Sequence, residues 1–172
     1  LWALEHGYKR INWTTDPLQR GNANFNMRHL GCKAICYMPD HYGAMNDGLN
    51  KGLATDRFGI TWELEDPRVF AVAQGEILPP ITPHYPDEKF LVKCNLDNTP
   101  QVHLIDTLED DLYFVEIPHN ITAIKRTDIR LAKSWQLAIR QAVIPAIQQG
   151  YLVVDFARDN NRGWYILAQA KE

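Results

Sequence analysis

Apolar residues along this chain recur with two different periods, and the switches between them outline its elements. Residues 9–14 alternate polar and apolar with Ile11 and Trp13 on one face, the period of a half-buried strand. Asp16-Pro17 then places a capping carboxylate before a proline, with Gln19 three residues after the cap, so a helix is expected from Pro17 to about Leu30. Ala23, Met27 and Leu30 fall on one side of it at spacings of four and three, and Gly31 stops it. Residues 33–38 read as a second strand, 39–56 as a long loop rich in Gly, Asn and Asp, and 57–64 as a third strand with Phe58, Ile60, Trp62 and Leu64 on one face.

The stretch 66–87 separates two halves. Asp66-Pro67 ends the third strand, 69–75 is apolar but short, and the prolines of 79–83 interrupt what surrounds them. Beyond it, strands are expected at 90–94, 102–105 and 113–117. The longest helix is expected from about Asp128 to Gln149, with Thr127 or Asp128 as its cap. Leu131, Trp135, Ala138, Ile139, Ala142, Val143 and Ile147 form its wide apolar stripe, and Pro145 should kink or break it. Gly150 closes that helix, and 151–156 and 164–167 pair as a hairpin around the 160–163 turn. No sequence repeat of fixed period is visible. The fold class that follows is α+β: strand–helix–strand–strand over residues 1–70, then a second strand–helix–strand–strand region over 71–172.

At 172 residues the chain suffices for one good core or two small ones sharing an interface. A formal charge of −3 gives no electrostatic footprint for nucleic acid, and no apolar run reaches the length of a membrane helix. Three cysteines are too few for a disulfide scaffold, and a reducing cytoplasm is the simplest setting. The cysteines and six dispersed histidines lack metal-ligand spacing, so no metal is expected.

The block Trp13-Thr14-Thr15-Asp16-Pro17-Leu18, the run Asn22-Ala23-Asn24-Phe25-Asn26, and Leu30-Gly31 resemble a family of GNAT-type acyltransferases, of the kind found beside N-acylamino-acid racemases. Tyr42-Gly43, the 47–50 run, Thr55-Asp56-Arg57, Glu116-Ile117-Pro118, Trp135, Gly150-Tyr151 and Asp155-Phe156 fit the same resemblance. It implies that residues 1–70 are the C-terminal half of a GNAT-like mixed sheet and that 71–172 are a family-specific α/β region. It also implies acyl transfer from acetyl-CoA or another acyl-CoA to a small-molecule amine, such as that of an amino acid. Two departures accompany it. No Gly-rich loop for the CoA pyrophosphate occurs in the chain, and Leu1 to His6 reads as the last turns of a helix that such a loop would precede. Met27 stands where a proton-donating Tyr is usual.

On this reading Tyr42 is the candidate acid and Asp56 its catalytic companion, with His41 nearby. Asn22 and Asn26, one helical turn apart, either reach the pantetheine arm or form a solvated face. Arg57 and Trp13 are candidates for the substrate, Arg57 through a carboxylate; a structural Asp56–Arg57 pair is the alternative. A truncated, non-catalytic module is the second functional reading. A half-sheet ending at an open strand is expected to expose that edge or form a homodimer across it.

Overall fold

The computed structural model describes residues 2–43, 53–79 and 86–170, so the 47–50 run of the resemblance and most of the 79–83 proline cluster lie outside the described residues. The chain is α+β, and its described residues build one mixed sheet of eight strands. A short helix α1 (Trp2–Glu5) leads to β1 (Arg10–Thr15), then α2 (Arg20–Asn24) continued by a π-helical turn (Phe25–His29), β2 (Lys33–Met38), β3 (Arg57–Glu63) and α3 (Pro67–Ala73). The second half runs β4 (Phe90–Cys94), β5 (Pro100–Val102), β6 (Leu112–Ile117), α4 (Ile121–Thr127), α5 (Ile129–Gln148), β7 (Tyr151–Arg158) and β8 (Gly163–Gln169).

Several boundaries differ from the sequence reading for identifiable reasons. Asp16 does not cap the helix; its Oδ1 accepts the Leu18 N–H at 2.9 Å in a local turn, and helical geometry starts only at Arg20. Asp66-Pro67 starts α3 instead of merely ending a strand, because the Asp66 carboxylate accepts the Arg68 N–H and proline occupies the first turn. Asp128 separates α4 from α5 and caps the latter through the N–H groups of Arg130 and Leu131. Helix α5 passes Pro145 without a break and ends at Gln148.

The sheet order is β1-β3-β2-β7-β8-β6-β4-β5. Each half therefore contains a strand–helix–strand–strand unit whose third strand inserts antiparallel between the other two: β1-β3-β2 in one, β6-β8-β7 in the other. The registers coincide as well. Across the first unit Thr15, Phe58 and Tyr37 align, and across the second Val115, Tyr165 and Phe156. Trp13, Ile60 and Ala34 match Tyr113, Leu167 and Val153 in the same way. Both units carry their irregularity at the same place, between Ala34 and Cys36 in β2 and between Val153 and Asp155 in β7. The helix of each unit is closed by a glycine with positive φ, Gly31 at 72° and Gly150 at 88°.

This structural duplication has no counterpart in a sequence period, because the turns inside the two units differ in length. The units meet where Ala34 pairs with Val153, about an approximate two-fold relation. The inner edge of the first half is thus covered by β7 of the same chain, and no open strand is left there for self-pairing.

One apolar core serves both units. Ala23 and Met27 from the first helix, Trp135, Ile139 and Val143 from α5, and Phe58, Ile60, Val153, Phe156 and Tyr165 from the strands belong to it. Phe58 and Tyr165 meet edge to face at 5.2 Å between ring centroids, stitching the halves together. On the opposite face Phe90, Phe114, Trp164 and Ile166 form a smaller cluster confined to the second half.

The corresponding face of the first unit carries Thr14, Cys36, Arg57 and Gly59. A Cβ on Gly59 would lie 2.3 Å from Cys36 Sγ, so the thiol occupies the space a side chain would need. Gly59→Ala is expected to cost about 1–3 kcal/mol through overpacking. Adding Cys36→Ala should recover most of it in a urea-denaturation double-mutant cycle, whereas additive losses would show that the two positions do not compete for one space.

Candidate functional site

Four of the sequence candidates, His41, Tyr42, Asp56 and Arg57, gather where β2 ends and β3 begins. Asp56 lies at the start of β3 and is 2% exposed. A carboxylate so deeply buried must be paired and hydrogen-bonded. Arg140 of α5 meets it bidentately, with Nε at 3.0 Å from Oδ2 and Nη2 at 2.6 Å from Oδ1. The Tyr37 hydroxyl donates to Oδ2 at 2.6 Å, and the Asp40 N–H donates to Oδ1 at 3.0 Å. Burial first, and then donation to Asp56, push the Tyr37 phenol far above its ordinary value. The hydrogen bond to Asp56 also raises the Arg140 guanidinium.

Asp40 completes the anchor. Its backbone adopts a positive φ of 46°, and its Oδ1 accepts the Thr55 N–H at 3.0 Å, tying together the two ends of the 39–56 loop. The second unit uses the same device: Asp159 Oδ1 accepts the Arg162 N–H at 2.6 Å across the β7–β8 turn. Counting back from the closing glycines, and allowing for the one residue that the π-turn inserts, Arg20 is the counterpart of Arg140. Arg20 donates to the carbonyls of Asp159, at 2.5 Å, and Arg162, at 2.9 Å, and contacts His119 Nδ1. Each unit's helix therefore clamps the other unit's strand connection with an arginine. Arg140 finds a carboxylate there; Arg20 finds carbonyls.

Above this buried anchor sits an exposed polar group. Tyr42 is 55% exposed, its hydroxyl is 2.8 Å from Thr14 Oγ1 on β1, and its N–H donates to Thr55 Oγ1 at 2.8 Å. Arg57 lies over the Tyr42 ring with its guanidinium carbon 5.2 Å from the centroid, held by Nη1 donation to the Asp56 carbonyl at 2.8 Å. His41 meets Tyr42 edge to face, its ring 4.6 Å from that of Tyr42. Tyr42, Arg57, Thr14 and His41 thus stand together at the surface, and Asp56 lies beneath them with every oxygen engaged.

The remaining candidates lie elsewhere. Trp13 is partly buried and meets Trp62 edge to face at 6.3 Å, on the core side of β1. Asn22 is exposed while Asn26 is 5% exposed. The two differ in exposure although they stand four residues apart, and Asn26 lies inside the π-helical turn that begins at Phe25, where the Leu30 N–H bonds back five residues to the Phe25 carbonyl at 3.0 Å. Met27, at the position where an acid was sought, is fully buried.

Arg140, Tyr37 and Asp40 were not among the sequence candidates. Arg140 sits on the flank of an apolar helix stripe, and only the tertiary fold brings it to Asp56, 84 residues away in sequence. Asp155, half of the Asp155-Phe156 pair in the resemblance, is buried and pairs with Arg28 at 2.9 Å and Arg68 at 2.8 Å. Among the described residues no group of three or more His, Cys, Asp or Glu is placed to hold a metal ion, and no helix is long and apolar enough to cross a membrane.

Comparison with known proteins adds no identification: no family model, curated protein or solved structure matches the chain. The mixed sheet and its helices place the chain in the α+β class.

Removing one partner of a buried ion pair leaves an uncompensated charge. Arg140→Ala is therefore expected to destabilise the fold by about 3 kcal/mol, the lower end of the usual range because Arg140 keeps partial solvent access. Tyr37→Phe should lose about 1–3 kcal/mol. Chemical denaturation monitored by tryptophan fluorescence reads both, and a loss under about 1 kcal/mol for Arg140→Ala would refute the anchor.

Proposed function

We propose that the surface group at Tyr42 is the acceptor side of an acyl-CoA-dependent N-acyltransferase. The observation that carries this reading is the Tyr42–Arg57 pair: a phenol hydroxyl exposed beside a guanidinium stacked on its own ring. Acyl transfer from a thioester to an amine needs a proton removed from the amine and returned to the departing thiolate. Tyr42 is the donor to that thiolate, with Thr14 Oγ1 orienting its hydroxyl. His41, against the Tyr42 ring, takes the amine proton. Arg57, fixed at Nη1 by the Asp56 carbonyl, offers its remaining N–H groups to an acceptor carboxylate.

Asp56 enters as the support of this arrangement. Its carboxylate already receives Tyr37, Arg140 and the Asp40 N–H, so it holds the loop ends and Arg57 in place and does not move a proton. That same sealing of Asp56, with the burial of Met27, favours the second reading, in which the group binds a carboxylate-bearing ligand without catalysis.

The test is thiol release from acetyl-CoA by the full chain in the presence of free amino acids. Tyr42→Phe is expected to lower kcat by about 10²–10⁴-fold with little change in KM. Arg57→Ala should raise KM for carboxylate-bearing amines by roughly 10–100-fold and leave simple amines unaffected. If no thiol is released while amino acids still bind in an Arg57-dependent way, the non-catalytic reading replaces the first. Equal turnover in Tyr42→Phe removes Tyr42 from the reaction.

A further inference from the structure

Away from the Tyr42 group, a cleft of about 220 Å³ lies between the last turns of α5 and the 103–108 segment that precedes β6. Its floor is apolar, from Leu91, Leu108, Ala142 and Ala146, and Gln149 Oε1 accepts the Leu108 N–H at 2.8 Å, which fixes the width of the opening. Its polar lining sets acceptors beside the amides of Gln141 and Gln149 and the His103 ring. Pro145 lines the cleft and has no N–H, so the carbonyl of Gln141, four residues back and also in the lining, lacks its helical donor. Asp106 supplies a carboxylate on the opposite wall. The cleft sits at the C-terminal end of a 20-residue helix, where the macrodipole is negative.

Among the described residues no Lys or Arg lines the cleft, and His103 is the other titratable group in its lining besides Asp106. A negative helix end, a carbonyl without its donor and one carboxylate all attract positive charge, and the floor beneath them attracts hydrocarbon. A single carboxylate is too few ligands for Ca²⁺ or Mg²⁺, which take about six or more oxygens. An organic ammonium satisfies both parts at once, because its N–H donors meet the oxygens and its carbon body meets the floor.

We propose that this cleft binds a primary alkylammonium, held by Asp106 and the Gln141 carbonyl. The site stands whatever reaction takes place at Tyr42, and it gives Pro145 a role that helix stability does not explain.

The experiment is an NMR titration of the full chain with n-pentylammonium, which carries its charge at neutral pH. 1-Pentanol and pentanoate serve as controls of matching length. Amide shifts are expected at residues 104–108 and 141–149, with a dissociation constant on the order of 1 mM or tighter. The alcohol should bind at least about tenfold more weakly, since hydrogen bonds to a charged group outweigh neutral ones. Asp106→Asn should weaken ammonium binding about tenfold. Pro145→Ala restores an N–H to the Gln141 carbonyl and should also weaken binding, while helix content by circular dichroism is maintained. Alcohol binding equal to that of the ammonium would overturn the proposal, as would shifts confined to other residues or either variant binding like the parent chain.

Discussion

The inner edge strand of each three-stranded unit carries backbone donors and acceptors that cannot be buried unpaired. β2 and β7 meet that requirement by pairing with each other at Ala34 and Val153, and the rest of the architecture follows from this seam. It makes two small sheets into one, places both helical layers over a common core, and brings each unit's helix within reach of the other unit's strand connection. The edge-to-face contact of Phe58 with Tyr165 repeats the join at the level of side chains.

The reciprocal arginines show how two equivalent frameworks diverge. Arg140 and Arg20 occupy matching places and do matching work, yet one meets a carboxylate and the other meets carbonyl oxygens beside Gly163. The longer connection of the first unit gave room for Asp56, Arg57 and Tyr42, where the second unit has only a tight turn. The exposed group at Tyr42 therefore belongs to the unit with the longer connection. The opposite unit buries aromatic side chains on the corresponding face. Stability and surface chemistry are coupled at this point, since the residue whose carboxylate closes the core also holds the Arg57 guanidinium through its backbone carbonyl.

Much of the framework was legible from local patterns. The period of two in residues 33–38 and 57–64 marked β2 and β3, and the apolar stripe with its Asp128 cap marked α5, because strand alternation and helix capping depend on neighbours in sequence. Asp66-Pro67 both follows a strand and starts α3, and the pair by itself marks only the boundary. Other features are not visible locally. Asp16 has the form of a cap, but its carboxylate closes a turn before the helix, and Asn26 lies within a π-turn that its spacing from Asn22 does not announce. In the candidate site, Tyr42, Asp56 and Arg57 stood out by residue type and loop context. Asp56's actual partners, Tyr37 and Arg140, did not, because their neighbours in sequence are strand and helix core.

By itself the sequence determined the α+β class, the order of strand–helix–strand–strand units, and the position of most strands, since these rest on periodicity and turn chemistry within a dozen residues. Only the tertiary structure decided that the two units share a register, that β2 joins β7, and that Asp56 is a buried anchor with Tyr42 and Arg57 exposed above it. Those features depend on contacts between residues tens of positions apart, whose energies come from burial and pairing that no local pattern encodes.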